Sequence, residues 1–178
     1  MIKNFKISDV NSSAAKFSQE LLDFYNNHYL KEYEINDLYE YIDNNFLLPD
    51  KFTKNPKKLE IIDLLRESAN NIPQIIEDLR IFVDNPIFDE ELKASIKVDR
   101  ELMIKFKEEL NEVDFKDKLL IGVFLDNFLK KNNLKFPVLG KPLRLILTGR
   151  SKAPSITDLL FLIGKKDSVQ RIDNYLEI

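Results

Sequence analysis

The chain has no cysteine, a single histidine and only four glycines in 178 residues. Without cysteine there are no disulfides, no thiolate metal sites and no cysteine nucleophile, and nothing argues for secretion. A lone histidine rules out a histidine-based metal cluster. His28 lies in NNHYL beside Tyr29 and Leu30, with no triad partner motif, and reads as a packing or surface residue. Four isolated glycines cannot build a Walker or dinucleotide-type phosphate loop. No apolar run approaches the roughly 18 residues of a membrane span. The longest, LLIGVFL at 119–125, suits a buried helix. The start, MIKNFKISDVNSS, has no signal-peptide apolar region. These absences predict a cytoplasmic protein that binds and does not catalyse.

What is present is mostly helical period. Apolar residues recur three and four apart in successive stretches, which is the mark of helices with one buried face. Phe17, Leu21, Leu22 and Tyr25 form the first such stripe, after the Asn11-Ser12-Ser13 turn signal. Ile35, Leu38, Tyr39 and Ile42 form the second, ended by Pro49. A third follows Asn55-Pro56 with Leu59, Ile62 and Leu65, joined by Ile61. The fourth, opened by Pro73, carries Ile75, Ile76, Leu79 and Phe82 or Val83 and is broken at Asp84-Asn85-Pro86. One long helix is expected over Asp89 to Glu112, and another over Phe115 to Lys131 with Leu119, Val123, Phe124, Phe128 and Leu129 inward. Gly122 weakens the second by up to about 1 kcal/mol relative to alanine.

Three short helices close the chain. Pro142 opens the first and Gly149 caps it; Ser155 and Asp158 form a capping box for the second, which Gly164 stops. The third runs from about Lys165 to Leu176, with Val169, Ile172 and Leu176 inward. Strand alternation is confined to NFKISDV at 4–10. The expected architecture is all-α, with two packed helical lobes divided at the breaker, 1–84 and 85–178. At this length the chain can bury about 70% of its unfolded surface without staples.

Charge is where the chain departs from its own average. Net charge is −3, yet Lys135, Lys141, Arg144, Arg150 and Lys152 occur with no acidic residue from Lys135 to Thr157. A basic, proline- and glycine-punctuated stretch inside an acidic helical protein is a candidate binding segment. Carboxylate clusters such as Asp89-Glu90-Glu91 read as solvated helix faces. On charge alone the rival is a helical protein-interaction module with a basic C-terminal segment. A generic RNA-binding domain is a further alternative.

The same stretch carries motifs. It reads KPLRLILTG (141–149), RSKAP (150–154), SITDLLFLIGKK (155–166) and QRIDNYL (170–176). Near the start, SSAAKFSQELLDFYNNHYL (12–30) places Ser12 or Ser13, Phe17, Leu22, Asn26 and Tyr29 in a second pattern, with Ser18 where aspartate is usual. In both places the chain resembles the C-terminal, anticodon-binding region of bacterial glutamyl-tRNA synthetases. The resemblance covers the two ends, and the middle agrees in helical pattern.

The resemblance implies a helical-cage anticodon-binding domain. Neither ATP-site signature of the class I synthetases is in these residues. The expectation is an excised C-terminal portion, inactive alone, with the catalytic domain in cis in the longer enzyme. No cofactor is expected in this chain, because ATP and Mg²⁺ belong to that catalytic domain. The implied partner is glutamate tRNA, with glutamine tRNA as a second candidate, and the protein is expected to be a monomer with no membrane partner.

Site residues follow by position. Arg144, in Pro-Leu-Arg, is implied to read the first anticodon base, with Leu143, Ile146 and Leu147 buried beneath it. Ala153 and Pro154 match the loop that reads the middle base, through backbone groups at Ala153. Ile156 matches an apolar position that packs on the first base; a core role in its own helix fits it equally. Lys141, Arg150 and Lys152 are read as phosphate contacts. In RESANNI (66–72), Ser68 stands where family members that separate the two tRNAs carry an arginine, and Arg66 lies two residues earlier. A hydroxyl both donates and accepts, so Ser68 repels neither cytosine nor guanine at the third base.

Overall fold

A computed structural model describes residues 18–178, and among them it has eleven α-helices and no strand. In chain order these are α1 (Gln19–Glu32), α2 (Ile35–Asn45), α3 (Asp50–Thr53), α4 (Lys58–Arg66), α5 (Ile72–Val83) and α6 (Glu90–Ser95). They continue as α7 (Arg100–Asn111), α8 (Lys118–Lys131), α9 (Phe136–Thr148), α10 (Ile156–Ile163) and α11 (Lys165–Leu176). The all-α expectation holds. The 4–10 stretch, Phe17 and the Ser12-Ser13 signal lie outside the described residues.

Local chemistry sets most helix ends. The Asn71 side chain accepts from the Gln74 backbone N–H at 2.9 Å, and Pro73 occupies the first turn of α5. Asp89, Asp99 and Asp117 each accept an N–H at 2.8 Å to start α6, α7 and α8. Ser155 caps α10, and its hydroxyl also lies 2.5 Å from the Asp158 carboxylate. Gly149 ends α9 at φ 68°, and its N–H reaches the Leu145 carbonyl at 2.7 Å. That left-handed cap needs glycine because of the backbone angle. The surrounding space would accept a Cβ, whose nearest contact would be ordinary, 3.6 Å from Pro86.

The caps set the ends, and buried side chains join the helices. One cluster of buried apolar residues runs from Leu38 and Ile42 through Phe52, Ile62 and Leu79 to Phe106, Leu147 and Ile172. Within it Phe106 meets Phe124 and Phe128 at ring centroid distances of 5.4 and 5.1 Å. Each such aromatic pair adds about 0.5–1.5 kcal/mol beyond burial. Lys57, just before α4, hydrogen-bonds the Phe161 carbonyl at 2.8 Å with its ammonium 3.3 Å from the Phe161 ring centre, tying α4 to α10. Burial pushes the Lys57 pKa down, and Glu60 opposes that.

The structure corrects four local expectations. The stretch Asp89 to Glu112 holds two helices, because Ile96 leaves helical geometry and Asp99 caps a new start. On α8 the inward residues are Ile121, Leu125, Phe128 and Leu129, whereas Leu119 and Val123 face solvent at 74% and 56% exposure. Gly122 does not interrupt that helix. Pro142 lies inside α9 and does not open it; the helix starts six residues earlier, with Pro137 in its first turn. On α1 the stripe is open, with Leu21, Leu22 and Tyr25 exposed and Leu30 alone buried. His28 lies on that same exposed helix, 3.5 Å from Glu32.

Candidate functional site

The basic stretch becomes a rigid apolar base with a loop on top. Leu143, Ile146 and Leu147 of α9 are fully buried, which leaves Arg144 partly buried between them. Its Nε donates to the Pro154 carbonyl at 3.4 Å, a long contact that brings the α9 arginine to the loop before α10. Lys141, one turn earlier on the same helix, is exposed.

Thr148 shapes that loop. Its hydroxyl lies 2.7 Å from the Arg144 carbonyl and 3.1 Å from the Arg150 carbonyl, and it accepts the Arg150 N–H at 3.1 Å. With Gly149 reversing the chain, the hydroxyl pins residues 148 to 150 as a tight turn. Residues 151 to 154 then cross towards the α4–α5 corner.

There the loop faces the turn after α4 across a groove of about 910 Å³. Arg150, Lys152, Ala153 and Pro154 line one side and Ser68 the other. A position at 68 and a loop at 150 to 154, over eighty residues apart, thus share one cavity. The Ser68 side is not basic: Glu67, Gln74 and Asp78 also face the groove. The Arg150 guanidinium is bound to this wall, 2.6 Å from Asp78 and 3.7 Å from Glu77.

Two candidates fall elsewhere. Ile156 is 1% exposed, so its side chain is core and offers no face to a base. Its position at the first turn of a helix packed on α8 and α9 explains this, since the apolar stripe of α10 begins there. Arg66 turns away from the groove. Its Nη1 donates to the Tyr33 and Leu30 carbonyls at 2.5 and 3.4 Å, and Nη2 lies 2.5 Å from Asp63. Arg66 therefore satisfies carbonyls at the end of α1, which a helix terminus leaves unpaired.

Sequence reasoning passed over three residues that build this region: Thr148, Asp78 and Arg171. Arg171 of α11 is fully buried and donates from Nη1 to the Ile81 carbonyl at 2.7 Å and also to the Leu147 carbonyl. Both carbonyls lie in last turns, of α5 and α9. Burial pushes the Arg171 pKa down to about 10, against the pull of Asp167 and Asp84, so it stays a cation at neutral pH. Its signal was available: 168, 171, 172 and 176 share one helical stripe, and all four are buried.

Comparison with known proteins agrees with this architecture. The family model described as "Anticodon binding domain" matches residues 16–176. Glutamate–tRNA ligase 1 of Aliarcobacter butzleri is 33% identical over 184 residues, covering 99% of this chain and 38% of that protein. Glutamate–tRNA ligase 2 of Helicobacter acinonychis is 30% identical, with 99% and 39% covered. The solved glutamate tRNA ligase of Elizabethkingia meningosepticum superposes with a TM-score of 0.81 at 28% identity, over 99% of this chain and 36% of its own. The chain thus spans a little over a third of the length of these relatives. The resemblance seen in the motifs at 141–176 extends along nearly the whole sequence. By the match over 16–176 and the helical structure it describes, this chain belongs to the anticodon binding domain family.

Proposed function

We infer that this chain holds the anticodon loop of glutamate tRNA and presents that tRNA for glutamylation by the rest of a glutamate–tRNA ligase. The observation that carries the reading is the groove between Ser68 and the 150–154 loop, with Arg144 at its rim through Pro154. Sequence-specific RNA recognition uses unstacked loop bases read on their Watson–Crick edges, and a roomy groove with backbone and side-chain polar groups suits such bases. Arg144 reads the first base, the Ala153 backbone with Pro154 the middle base, and Ser68 faces the third. Lys141 and Lys152 supply salt-dependent grip on phosphate. Ile156, being core, and Arg66, being held at α1, drop out of the reading set.

ATP, Mg²⁺ and the ligation chemistry belong to the remainder of the ligase, and this portion alone is inactive. It works as a cytoplasmic monomer. If Ser68 is the only group facing the third base, glutamine tRNA is accepted as well, because a hydroxyl suits both cytosine and guanine.

A second reading has its own observation. An apolar groove of about 430 Å³ between α1, α2 and α5 is lined by Tyr29, Tyr33 and Tyr41, all about half exposed. Its surroundings are acidic, with Glu32, Glu34, Asp37 and Glu40 nearby in sequence, so a basic protein segment suits it better than RNA.

A salt-titrated binding assay separates the two. The chain is expected to bind glutamate tRNA at low salt at least tenfold more tightly than the same tRNA with all three anticodon bases replaced. Equal binding to both would remove anticodon reading; no binding to either at low salt would favour the protein-interaction module.

A further inference from the structure

Arg171 uses only one corner of its guanidinium. Nη1 donates to the Ile81 and Leu147 carbonyls, and among the described residues Nε and Nη2 have no partner. Those two nitrogens form the side-on fork of the group, with parallel N–H bonds. One turn earlier, on the same stripe of α11, lies Ser168. It too is 0% exposed, and its Oγ is likewise without a partner among the described residues. Positions three apart on a helix are neighbours, so a cationic fork and a hydroxyl stand together, both buried and both unpaired. Buried polar groups are nearly always paired, because an unmade bond costs the full desolvation of its group.

Charge narrows what the missing partner is. No carboxylate among the described residues pairs with Arg171. The two that act on it from further off are committed elsewhere: Asp167 lies 2.7 Å from Lys51, and Asp84 lies 3.6 Å from Arg80. A buried cation with no contacting counter-ion is costly. Water would fill the hydrogen bonds and leave the charge uncompensated. A small monovalent anion does both, since it accepts from Nε, Nη2 and the Ser168 hydroxyl at once. A groove of about 280 Å³ opens at the α10–α11 turn, lined by Phe82, Gly164 and Asp167 with Lys51 and Lys57 on its wall. Phe82 and Asp167 adjoin Ile81 and Ser168 in sequence, so this groove borders the unpaired groups. Its two ammonium groups and the N-terminal end of α11 favour an anion on the approach.

We propose that Arg171 and Ser168 form a buried chloride site, in which the Nε–Nη2 fork and the Ser168 hydroxyl donate to one chloride ion. The ion completes the joint of α5, α9 and α11, at the end of α9 from which the 149–154 loop springs.

Thermal unfolding of the chain in sodium chloride and in sodium gluconate, at one ionic strength, tests this. Gluconate is too large for the site. The Tm is expected to be about 3–6 °C higher in chloride, the gain for an ion at roughly tenfold its Kd. Ser168→Ala should give a change of sign. In gluconate it removes an unpaired buried hydroxyl and introduces a better helix former, so its Tm should equal or exceed that of the unsubstituted chain. In chloride it lacks one of the ion's three donors, so its Tm should fall below. Arg171→Lys should lose the chloride effect, because an ammonium has no fork. Lys97→Ala, which removes an exposed cation elsewhere, should keep it. Crystals grown in sodium bromide should show an anomalous peak in contact with Arg171 Nε, Arg171 Nη2 and Ser168 Oγ.

Equal Tm values in chloride and gluconate overturn the proposal. So does an equal cost of Ser168→Ala in both salts, which is the signature of an internal water. A chloride effect that survives both Ser168→Ala and Arg171→Lys, or a bromide peak elsewhere with none at α11, places the ion on another surface and also overturns it. None of these readouts involves RNA, so they stand apart from the anticodon reading.

Discussion

Replacing Arg171 with alanine should lower the unfolding free energy by about 3 kcal/mol and the Tm by roughly 6–12 °C for a chain of this size. The reasons are specific. The Ile81 and Leu147 carbonyls lie in last turns, where helix carbonyls have no partner of their own, and Arg171 satisfies both from α11. Without it, two buried acceptors lose a charge-assisted bond and a cavity the size of the side chain opens among α5, α9 and α11. A cation at helix C-termini is also favoured by the local dipole.

Part of that gain is already offset, because burial disfavours the charge. The folded-state pKa is lowered to about 10, so below about pH 10 the cation carries a desolvation cost that fades as the pH rises from there towards the ordinary arginine range. Between pH 5 and 9 Arg171 stays protonated folded and unfolded, and its titration adds no slope to stability. Arg171→Lys should fall between wild type and Arg171→Ala, since one ammonium serves two carbonyls poorly. Urea unfolding followed by far-ultraviolet circular dichroism measures this. A loss below about 1 kcal/mol in Arg171→Ala would mean the buried arginine is dispensable. Because Arg171 holds the end of α9 from which the 149–154 loop springs, the variant also tests whether the groove depends on this pin.

Arg144→Ala should weaken binding of a cognate anticodon stem-loop by about 1–3 kcal/mol, roughly fivefold to 150-fold, with the salt dependence unchanged. The magnitude follows from losing one good base contact. The partly buried arginine sits on a buried apolar base and leans on the Pro154 carbonyl, so little ordering is left to be done on binding. The loss should disappear when the first anticodon base is changed, because that contact is then already absent. Arg144→Lys should recover little, since the ammonium lacks the planar fork. Binding isotherms at two salt concentrations, on cognate and first-base-altered RNAs, provide the measurement. A changed salt slope with no dependence on the first base would make Arg144 a phosphate contact.

How far the sequence could be read depended on whether the signal was local. Pro73, Ser155, Gly149 and Gly164 marked helix ends correctly, because a cap is decided by a few neighbouring residues. The stripe of Leu143, Ile146 and Leu147 under Arg144 was equally plain. The phase of α8 was not. LLIGVFL is apolar at nearly every position, so period alone cannot choose between Leu119 and Ile121 as the inward residue; packing against α7 and α10 decides. The break between α6 and α7 was hidden because Leu92, Ile96, Leu102 and Phe106 keep a helix-compatible rhythm across it, although Asp99 was a cap in plain view.

Site residues divide the same way. The 150–154 loop was visible as a motif, and Arg144 as a lone charge on an apolar helix. The meeting of that loop with Ser68 was not visible, because it is a contact between distant segments. Nor was Asp78, an acidic residue on an amphipathic helix whose role emerges only from its 2.6 Å contact with Arg150. Arg66 looked like a site residue from position, and Ile156 fitted a site role and a core role equally; folding committed the first to the α1 carbonyls and the second to the core.

The most direct test of the groove as the RNA-binding surface is a ¹H–¹⁵N amide map of the chain titrated with a 17-nucleotide glutamate anticodon stem-loop. The largest shifts are expected at residues 144 and 149 to 154, at 67 to 69 after α4, and around Asp78. Shifts centred instead on the tyrosine-lined groove of α1 and α2, with the 149–154 loop unmoved, would contradict the assignment of this groove to the anticodon.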